Sequence, residues 1–297
     1  MALHIPVMEK EAIAALCINS HGTYVDLTLG QAGHASQILQ LIPHGLLVGF
    51  DKDKTAIDAS GTRLVQIGTN FQLIHSDFKH FKSELSKLEI FAVDGILVDL
   101  GVSSPQLDRP ERGFSYNKEA KLDMRMDQTQ QFDANQIVNN WSANELAMIF
   151  KLYADVKLGH RVANAIIKHR PIETTLQLAS VIRASLPAAV VRNKNVVRQI
   201  FQAIRIAVND EINALKIMLK DAISLLKPGG KLAVISFHSL EDQIVKKEFA
   251  RLTINKTGKL PIIEQKSYMF KTYKPTSQEV ILNRRSRSSR LRVLTKL

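Results

Sequence analysis

Two apolar stretches that end abruptly in polar residues constrain the fold of this chain most strongly. Residues 94–106 read DGILVDLGVSSPQ, and residues 234–242 read VISFHSLED. Each begins with apolar, often β-branched side chains of the kind that form a strand buried on both faces. Because ligands of parallel sheets bind beyond the carboxyl ends of the strands, the polar residues that follow are predicted to line a site. The alternative is an ordinary loop in which Ser and Asp cap helices.

The order of strand and helix signals predicts an α/β protein with a helical insertion. Four strand signals alternate with helix signals in the first hundred residues, which favours a doubly wound, parallel sheet. From residue 108 to 209 the pattern is helical or irregular, and a strand signal returns at 231–237. We therefore predict one α/β domain formed by residues 1–107 and 210–297, interrupted by an all-helical domain of residues 108–209.

The charge of the chain predicts a polyanionic partner. The 297 residues include 40 Lys and Arg against 28 Asp and Glu, a net charge of +12. Residues 283–292 carry five arginines and no acid, and a second basic cluster extends from residue 160 to 205. Nucleic acid is the usual partner of such surfaces, and an anionic membrane is the alternative. No apolar run approaches the roughly 18 residues that cross a bilayer. No lipid anchor or strongly amphipathic terminal helix is apparent either, so nucleic acid is favoured over a membrane surface. The single cysteine, Cys17, fits a reducing cytoplasm.

A glycine turn after the first strand favours a nucleoside ligand. Residues 26–34 read DLTLGQAGH, which is neither the dinucleotide fingerprint nor a phosphate loop. Asp51 ends the second strand, where a carboxylate can accept both hydroxyls of a ribose. Phe78 follows the third strand and could stack on an adenine. The alternatives are a tight turn with an exposed Asp51, and a Phe78 that belongs to the core.

Asp99 is the central candidate for catalysis. It ends the fourth strand, where a carboxylate can offset the charge of a sulfonium methyl donor or accept a hydrogen bond from the group that is methylated. Polar side chains also follow the fifth strand, where an imidazole can accept a proton or orient a base. The spacing of His, Cys and Asp is not that of a zinc site, so no metal is predicted. The candidates beside Asp99 are Ser103, Ser104, Gln106, Ser236 and His238.

Longer motifs in the chain resemble one known family. It is similar to the bacterial S-adenosylmethionine-dependent cytosine-N4 methyltransferases of small-subunit ribosomal RNA, the ribosomal RNA small subunit methyltransferase H family. The resemblance spans nearly the whole length and keeps the order of the motifs. The most specific motifs are LDMRMD at 122–127 and ISFHSLED at 235–242, and the others lie at 4–11, 26–34, 94–108, 111–115, 201–209 and 283–292.

The resemblance implies a class I methyltransferase sheet with an inserted helical domain that recognises RNA. It implies methyl transfer from S-adenosyl-L-methionine to the N4 amine of a cytidine in the decoding region of 16S ribosomal RNA. The enzyme would act in the cytoplasm, with the assembled small ribosomal subunit as its substrate. Ala32 replaces a glycine that is usual in the family, which is expected to weaken cofactor binding modestly. The family's cofactor contacts correspond here to Ala32, Gly33, His34, Asp51, Phe78, Asp99 and Gln106.

The methyl transfer that the resemblance implies predicts roles for the polar side chains. We expect Asp99 and the Ser103–Ser104 loop to accept hydrogen bonds from the amine, while His238 or Ser236 orients the base. Arg112 and residues 122–127 either close over the site or form a structural network that anchors the insertion.

Three other functions stay open on the sequence, and the chain is also compatible with a homodimer. The first is an amino-methyltransferase of DNA or of another RNA, although DLGV at 99–102 replaces the Asn/Asp-Pro-Pro-Tyr/Phe loop usual in that class. The second is a nicotinamide-dependent oxidoreductase, which the missing fingerprint disfavours. The third is a non-catalytic RNA-binding assembly factor, against which the intact Asp51, Asp99 and His238 argue.

Overall fold

The computed structural model describes residues 6–193, 195–253 and 267–297. The chain divides into two compact units. The first comprises Met1–Gly101 and Asn213–Leu297, and the second comprises Val102–Ile212. The helical domain predicted from the sequence spans residues 108–209, and the second unit begins earlier and ends later than that range.

The first unit is built on a sheet of the strands β1 Thr23–Asp26, β2 Leu46–Asp51, β3 Phe71–His75, β4 Val93–Asp99, β5 Leu226–Ser236, β6 Tyr268–Tyr273 and β7 Arg290–Lys296. Their order in the sheet is β3-β2-β1-β4-β5-β7-β6. The strands β1 to β5 pair parallel with one another, whereas β7 pairs antiparallel with both β5 and β6.

The central strands are apolar because both faces of the sheet are covered. In β4, Ile96 and Val98 belong to one buried cluster, and Leu97 between them belongs to another. This alternation places successive side chains on opposite faces, as the geometry of a strand requires. The predicted doubly wound α/β class is confirmed. The strand signal predicted at 231–237 corresponds to β5, which begins earlier, at Leu226, and includes the segment KPGG at 227–230, where the pairing with β4 shifts register.

Helices α1–α4 and α12–α14 accompany the sheet, and α5–α11 lie in the second unit. No helix in the described part of the chain is long and apolar enough to cross a membrane. The helices are α1 Glu9–Leu16, α2 Gly33–Leu41, α3 Lys54–Leu64, α4 Phe81–Lys87, α5 Ser104–Asp108, α6 Ala134–Asn140, α7 Ala143–Ala154, α8 Gly159–Lys168, α9 Thr175–Ser185, α10 Ala188–Asn193, α11 Val196–Val208, α12 Glu211–Leu225, α13 Ser239–Thr253 and α14 Ser277–Leu282, with 3-10 turns at Phe78–His80, Pro110–Arg112 and Arg284–Ser288.

Residues 122–127 of the second unit are held by buried hydrogen bonds. Arg112 is buried and donates from Nη2 to the carbonyls of Arg125 and Met126, at 3.0 and 2.9 Å. Asn209 accepts from the Met126 N–H at 2.8 Å and donates to the Met124 carbonyl at 2.8 Å. These contacts support the structural interpretation of Arg112 and the LDMRMD segment.

Candidate active site

Three carboxylates stand in a row at the carboxyl edge of the sheet. Asp51, Asp26 and Asp99 end β2, β1 and β4, which are adjacent in the sheet. Parallel strands bring their carboxyl ends to one edge, so the topology alone assembles this acidic row. Among the residues that the structure describes, no group of three or more His, Cys, Asp or Glu could hold a metal ion.

Asp51 is held by the backbone of the glycine turn and of its own strand end. Its Oδ2 accepts from the Gly30 N–H at 2.8 Å, and its Oδ1 accepts from the Asp53 N–H at 2.8 Å. Burial raises the pKa of Asp51 to about 6, and the two N–H groups act in the opposite direction. The carboxylate is therefore fixed in orientation and keeps lone pairs that can accept the hydroxyls of a ribose.

The turn that carries Gly30 contains a second residue with positive φ. Gly30 has φ +52° and Ala32, the residue before α2, has φ +55°. An L-residue other than glycine pays roughly 1–2 kcal/mol in this left-handed conformation. Ala32, at the position where the resemblance implies a glycine, thus carries a backbone cost of this size.

Asp26 is a buried acid that sequence reasoning did not select. Its side chain is buried, and its Oδ1 accepts from the Thr28 N–H at 3.1 Å. Burial, with a contribution from the charge of Asp51, raises the pKa of Asp26 to about 7. The signal was available, because Asp26 occupies in β1 the same terminal position that Asp51 occupies in β2.

Asp99 has one carboxylate oxygen that nothing in the described part of the protein satisfies. Oδ1 is buried without a hydrogen-bond partner there. Oδ2 lies 3.9 Å from Nδ1 of His34, and the Asp99 N–H donates to Thr28 Oγ1 at 2.6 Å. Burial, together with the charges of Asp26 and Glu241, raises the pKa of Asp99 well above its usual range. An unsatisfied buried acceptor is costly, which indicates that a ligand completes it.

His34 joins this edge to the N-terminal segment. The ring is buried, with Nε2 3.1 Å from the Val7 carbonyl oxygen. A side chain on Gly33 would overlap the ring of Pro6, so glycine is required where this segment crosses α2. Of the predicted cofactor contacts, the structure thus brings His34 and Asp99 together, and it places Asp51 on the same edge of the sheet.

The polar side chains after β5 are engaged with one another. His238 Nε2 lies 3.0 Å from Oε1 of the buried Glu241, whose Oε2 accepts from the Phe237 N–H at 2.9 Å. Ser236 is buried, with Oγ 3.4 Å from both Asp242 Oδ1 and the Arg290 carbonyl oxygen. Glu241 was not predicted as a site residue, although it holds the predicted His238.

Three predicted site residues belong to the second unit. Ser103, Ser104 and Gln106 form the start of α5. The side-chain oxygen of Gln106 accepts from the Ser103 N–H at 3.0 Å, as in a capping box. Helix capping therefore accounts for part of the polar pattern after β4, which is the alternative that the sequence analysis left open.

Phe78 directly follows Asp77 shortly after β3, and its ring is half-buried. It packs at the edge of a core cluster of the first unit, in a 3-10 turn that begins after Asp77. Asp77 caps this turn by accepting from the Lys79 N–H at 3.0 Å, and it also pairs with Lys52 Nζ at 3.3 Å. Part of the Phe78 ring therefore packs against the core, as the alternative interpretation predicted. The exposed part of the ring is available to a ligand.

Comparison with known proteins identifies the family. A model of the MraW methylase family matches residues 1–297. The chain belongs to this family. Proteins called ribosomal RNA small subunit methyltransferase H are similar over the whole length: that of Mycoplasmopsis agalactiae is 56% identical over 295 residues, covering 99% of this chain and 98% of the relative. That of Mycoplasmopsis pulmonis is 53% identical over 299 residues, covering 100% of both.

A solved structure also aligns along the chain. An rRNA methylase from Streptococcus thermophilus is 11% identical, with a TM-score of 0.47 over 100% of this chain and 99% of that one. A likeness this distant bears on neither the site nor the reaction. Membership in the methylase family confirms the predicted family, and it confirms that the chain is a methyl-transferring enzyme that uses S-adenosyl-L-methionine.

Proposed function

We propose that this enzyme methylates the N4 amine of a cytidine in the decoding region of 16S ribosomal RNA. Relatives that are 56% and 53% identical over the full length carry the name ribosomal RNA small subunit methyltransferase H. The observation that carries the proposal is the acidic row of Asp51, Asp26 and Asp99 in a chain of this family.

The residues at the edge of the first unit fit the methyl donor. S-adenosyl-L-methionine supplies an electrophilic sulfonium methyl group. Asp51, fixed by two N–H groups, would accept the ribose hydroxyls, and Phe78 offers a half-exposed ring for the adenine. The turn at Ala32–His34 and the amide of Gln106 complete the set of proposed contacts.

Asp99 would prepare the amine for attack. The exocyclic amine of cytosine is a weak nucleophile because its lone pair is delocalised into the ring. The buried Oδ1 of Asp99, which lacks a partner in the described protein, can accept one N–H and so hold the nitrogen toward the donor. A carboxylate fixed in a site with little water stabilises developing positive charge more strongly than water would. Ser103 and Ser104 are the proposed further acceptors.

His238 is the better of the two candidates for orienting the base. Its Nδ1 accepts from the Glu241 N–H at 3.4 Å, whereas the buried Nε2, 3.0 Å from Glu241 Oε1, makes no hydrogen bond within the described residues and can serve a ligand. The hydroxyl of Ser236 is buried and faces Asp242 and the Arg290 carbonyl, so its contacts are with its own sheet edge. The proton that the amine loses after methylation would pass to Asp99 and then to water.

The basic surfaces would bind RNA on the assembled small ribosomal subunit, which places the enzyme in the cytoplasm. Arg284, Arg285 and Arg287 of the C-terminal motif are exposed, whereas Arg292 is buried and pairs with Asp242 at 2.8 and 3.0 Å. Phosphate binding is therefore assigned to the first three of these arginines. The inserted helical unit is the second proposed RNA-binding surface.

Transfer of a labelled methyl group tests the proposal. The enzyme is incubated with labelled S-adenosyl-L-methionine and small ribosomal subunits, free 16S RNA or duplex DNA, and the products are mapped by mass spectrometry. We expect label at the N4 position of one cytidine in the decoding region of the subunit. Label on DNA alone, or on an adenine or a carbon atom of the RNA, would refute the assignment.

A further inference from the structure

Two buried side-chain atoms at the carboxyl edge of the sheet have no hydrogen-bond partner among the described residues. They are Asp99 Oδ1 and His238 Nε2. Asp99 ends β4, and His238 comes two residues after the end of β5. These strands pair in parallel with Asp99 opposite Ile235, and the Leu100 N–H donates to the Ile235 carbonyl at 3.0 Å. Both atoms therefore belong to the ends of two adjacent strands, where a parallel sheet binds its ligands.

The hydrogen bonds around His238 make its Nε2 a donor. Nδ1 accepts from the Glu241 N–H at 3.4 Å, so the hydrogen of the neutral ring is on Nε2. Glu241 Oε1 lies 3.0 Å from Nε2 but forms no hydrogen bond with it, so the ring N–H is not directed at this oxygen. Glu241 Oε2 accepts from the backbone N–H groups of Phe237 and His238, at 2.9 and 3.3 Å, which holds this turn in place. His238 thus presents a buried N–H to a ligand.

Asp99 Oδ1 is the complementary group, because a carboxyl oxygen accepts. It can do so whether the carboxyl group is ionised or carries its proton on Oδ2. A buried donor and a buried acceptor that both lack a partner are costly, so a ligand that completes both is favoured over one that completes neither. Such a ligand has an N–H donor for Asp99 beside an acceptor for His238.

Of the four RNA bases, cytosine and adenine have an edge with this order of groups. In cytosine the N4 amine donates and the adjacent ring nitrogen N3 accepts. Uracil and guanine have the reverse order, an oxygen acceptor beside a ring N–H. Proteins select single-stranded RNA bases by hydrogen bonds to this edge. A uracil in the site would set its oxygen against Asp99 Oδ1 and its N–H against the N–H of His238.

We propose that His238 Nε2 donates a hydrogen bond to N3 of the target cytosine while Asp99 Oδ1 accepts from the N4 amine. The inference rests on the role proposed for Asp99, and it makes His238 a residue that selects the base. Two hydrogen bonds fix the base within its own plane, which a single contact cannot do, and so hold N4 in position for the methyl group. A base with the reversed edge is rejected because it leaves the polar groups of the site unpaired.

Removal of the N3 acceptor from the substrate, combined with variants of His238, tests the contact. Small ribosomal subunits are assembled with 16S RNA that carries either cytidine or 3-deazacytidine, in which a C–H group replaces N3, at the target position. His238→Met removes the donor at similar length, and His238→Gln retains an amide that can donate. Gln243→Ala, at an exposed position of the same helix α13, is the control. The readout is the ratio of kcat/KM for cytidine to that for 3-deazacytidine.

The proposal expects this ratio to be about tenfold smaller in His238→Met than in the wild type, the size of one lost hydrogen bond. The change in amine reactivity that 3-deazacytidine brings is common to all variants, so it cancels in the comparison. His238→Gln should recover part of the ratio, and Gln243→Ala should keep all of it. If His238 only supports the turn after β5, His238→Met lowers both rates equally and the ratio stays at the wild-type value, which would overturn the inference.

Two further measurements keep the outcomes distinct. A wild-type enzyme that leaves the target cytidine unmethylated would refute the proposed function, and the inference with it. Methylation of that cytidine with the same ratio in the wild type and His238→Met would overturn the inference alone. If the His238 variants do not fold, the imidazole nitrogen shifts of the wild-type protein decide. Nε2 of His238 should carry a hydrogen, and a ring with its hydrogen on Nδ1 alone would contradict the proposal.

Discussion

Buried polar side chains are treated in opposite ways in the two units. In the second unit, Arg112 and Asn209 are buried, and Arg112 Nη2 and the side-chain amide of Asn209 form hydrogen bonds with backbone groups of residues 124–126. In the first unit, Asp26 and Asp99 are gathered at one edge of the sheet, and Asp99 Oδ1 has no partner among the described residues. In the second unit, hydrogen bonds within the protein thus offset the cost of burying polar side chains. In the first unit, Asp99 Oδ1 is left for a ligand to satisfy.

The comparison teaches which buried polar groups serve the fold and which serve the reaction. A satisfied buried group stabilises its unit, so its loss is expected to lower stability first. A group whose pKa is raised by burial lowers stability at neutral pH, so its removal is expected to lower activity and not stability. Four variants follow, from the largest expected effect to the smallest; three change buried polar groups, and the fourth changes exposed arginines beside a buried one.

Asp99→Asn should have the largest effect on activity. The amide keeps the size of the side chain but cannot accept the proton of the amine or carry the negative charge. We expect kcat to fall about a thousand-fold, within the range for loss of a charged group at a reacting centre. The melting temperature, measured on the same samples, should be unchanged or higher. A large loss of stability would instead assign Asp99 to the fold.

Asn209→Ala should have the largest effect on stability. It removes three hydrogen bonds, to the Met124 carbonyl, the Arg205 carbonyl and the Met126 N–H. The Arg205 carbonyl keeps the backbone N–H of residue 209 at 3.0 Å, but the Met124 carbonyl and the Met126 N–H lose their partner, which should reduce the free energy of unfolding by about 2–4 kcal/mol. The measurement is thermal or urea unfolding beside Asn144→Ala, at an exposed position of α7 that should change little. Equal stability of the two variants would remove the contrast between the units.

Asp26→Asn should stabilise the protein at high pH. The pKa of Asp26 is raised to about 7 in the folded state, so the folded protein binds this proton more tightly than the unfolded chain does. The stability that this provides is present at low pH and is lost as the pH rises from about 4 to about 7. The asparagine variant should therefore gain on the order of 2 kcal/mol relative to wild type between pH 5 and pH 8. A gain that is the same at both pH values would contradict the buried-acid account.

Replacing the exposed arginines should have the smallest effect. A triple change of Arg284, Arg285 and Arg287 to Gln should weaken binding of small-subunit RNA about tenfold at moderate salt. It should also lower the slope of log affinity against log salt by about two. Arg292→Gln is the matched control, because this buried arginine pairs with Asp242. It should lower stability without changing the salt slope, and the opposite pattern would show that the exposed arginines do not bind RNA.

Local patterns predicted the parts of the fold and site that depend on neighbours in sequence. The strands β4 and β5 could be predicted from their apolar runs because a strand buried on both faces must be apolar throughout. Asp51 could be predicted as a site residue because it is a carboxylate at the end of such a run. Asp26 ends β1 in the same way and could have been selected by the same rule, although its complete burial depends on packing that the sequence does not give.

Long-range pairing could not be predicted from sequence. Arg292 lies in an arginine-rich segment that predicts RNA binding. Only the fold shows that it forms an ion pair with Asp242, which is fifty residues away in sequence. The contact of Val7 with His34 is of the same kind. Likewise the capping role of Gln106 and the register shift at residues 227–230 depend on where the backbone turns, which composition does not fix.

A crystal structure with bound S-adenosyl-L-methionine tests the central claim most directly. The account predicts the ribose hydroxyls within hydrogen-bond distance of Asp51, and the sulfonium methyl group directed toward the side of the pocket where Asp99 lies. A donor bound away from the ends of β2 and β4, with Asp51 and Asp99 unchanged in their contacts, would contradict it.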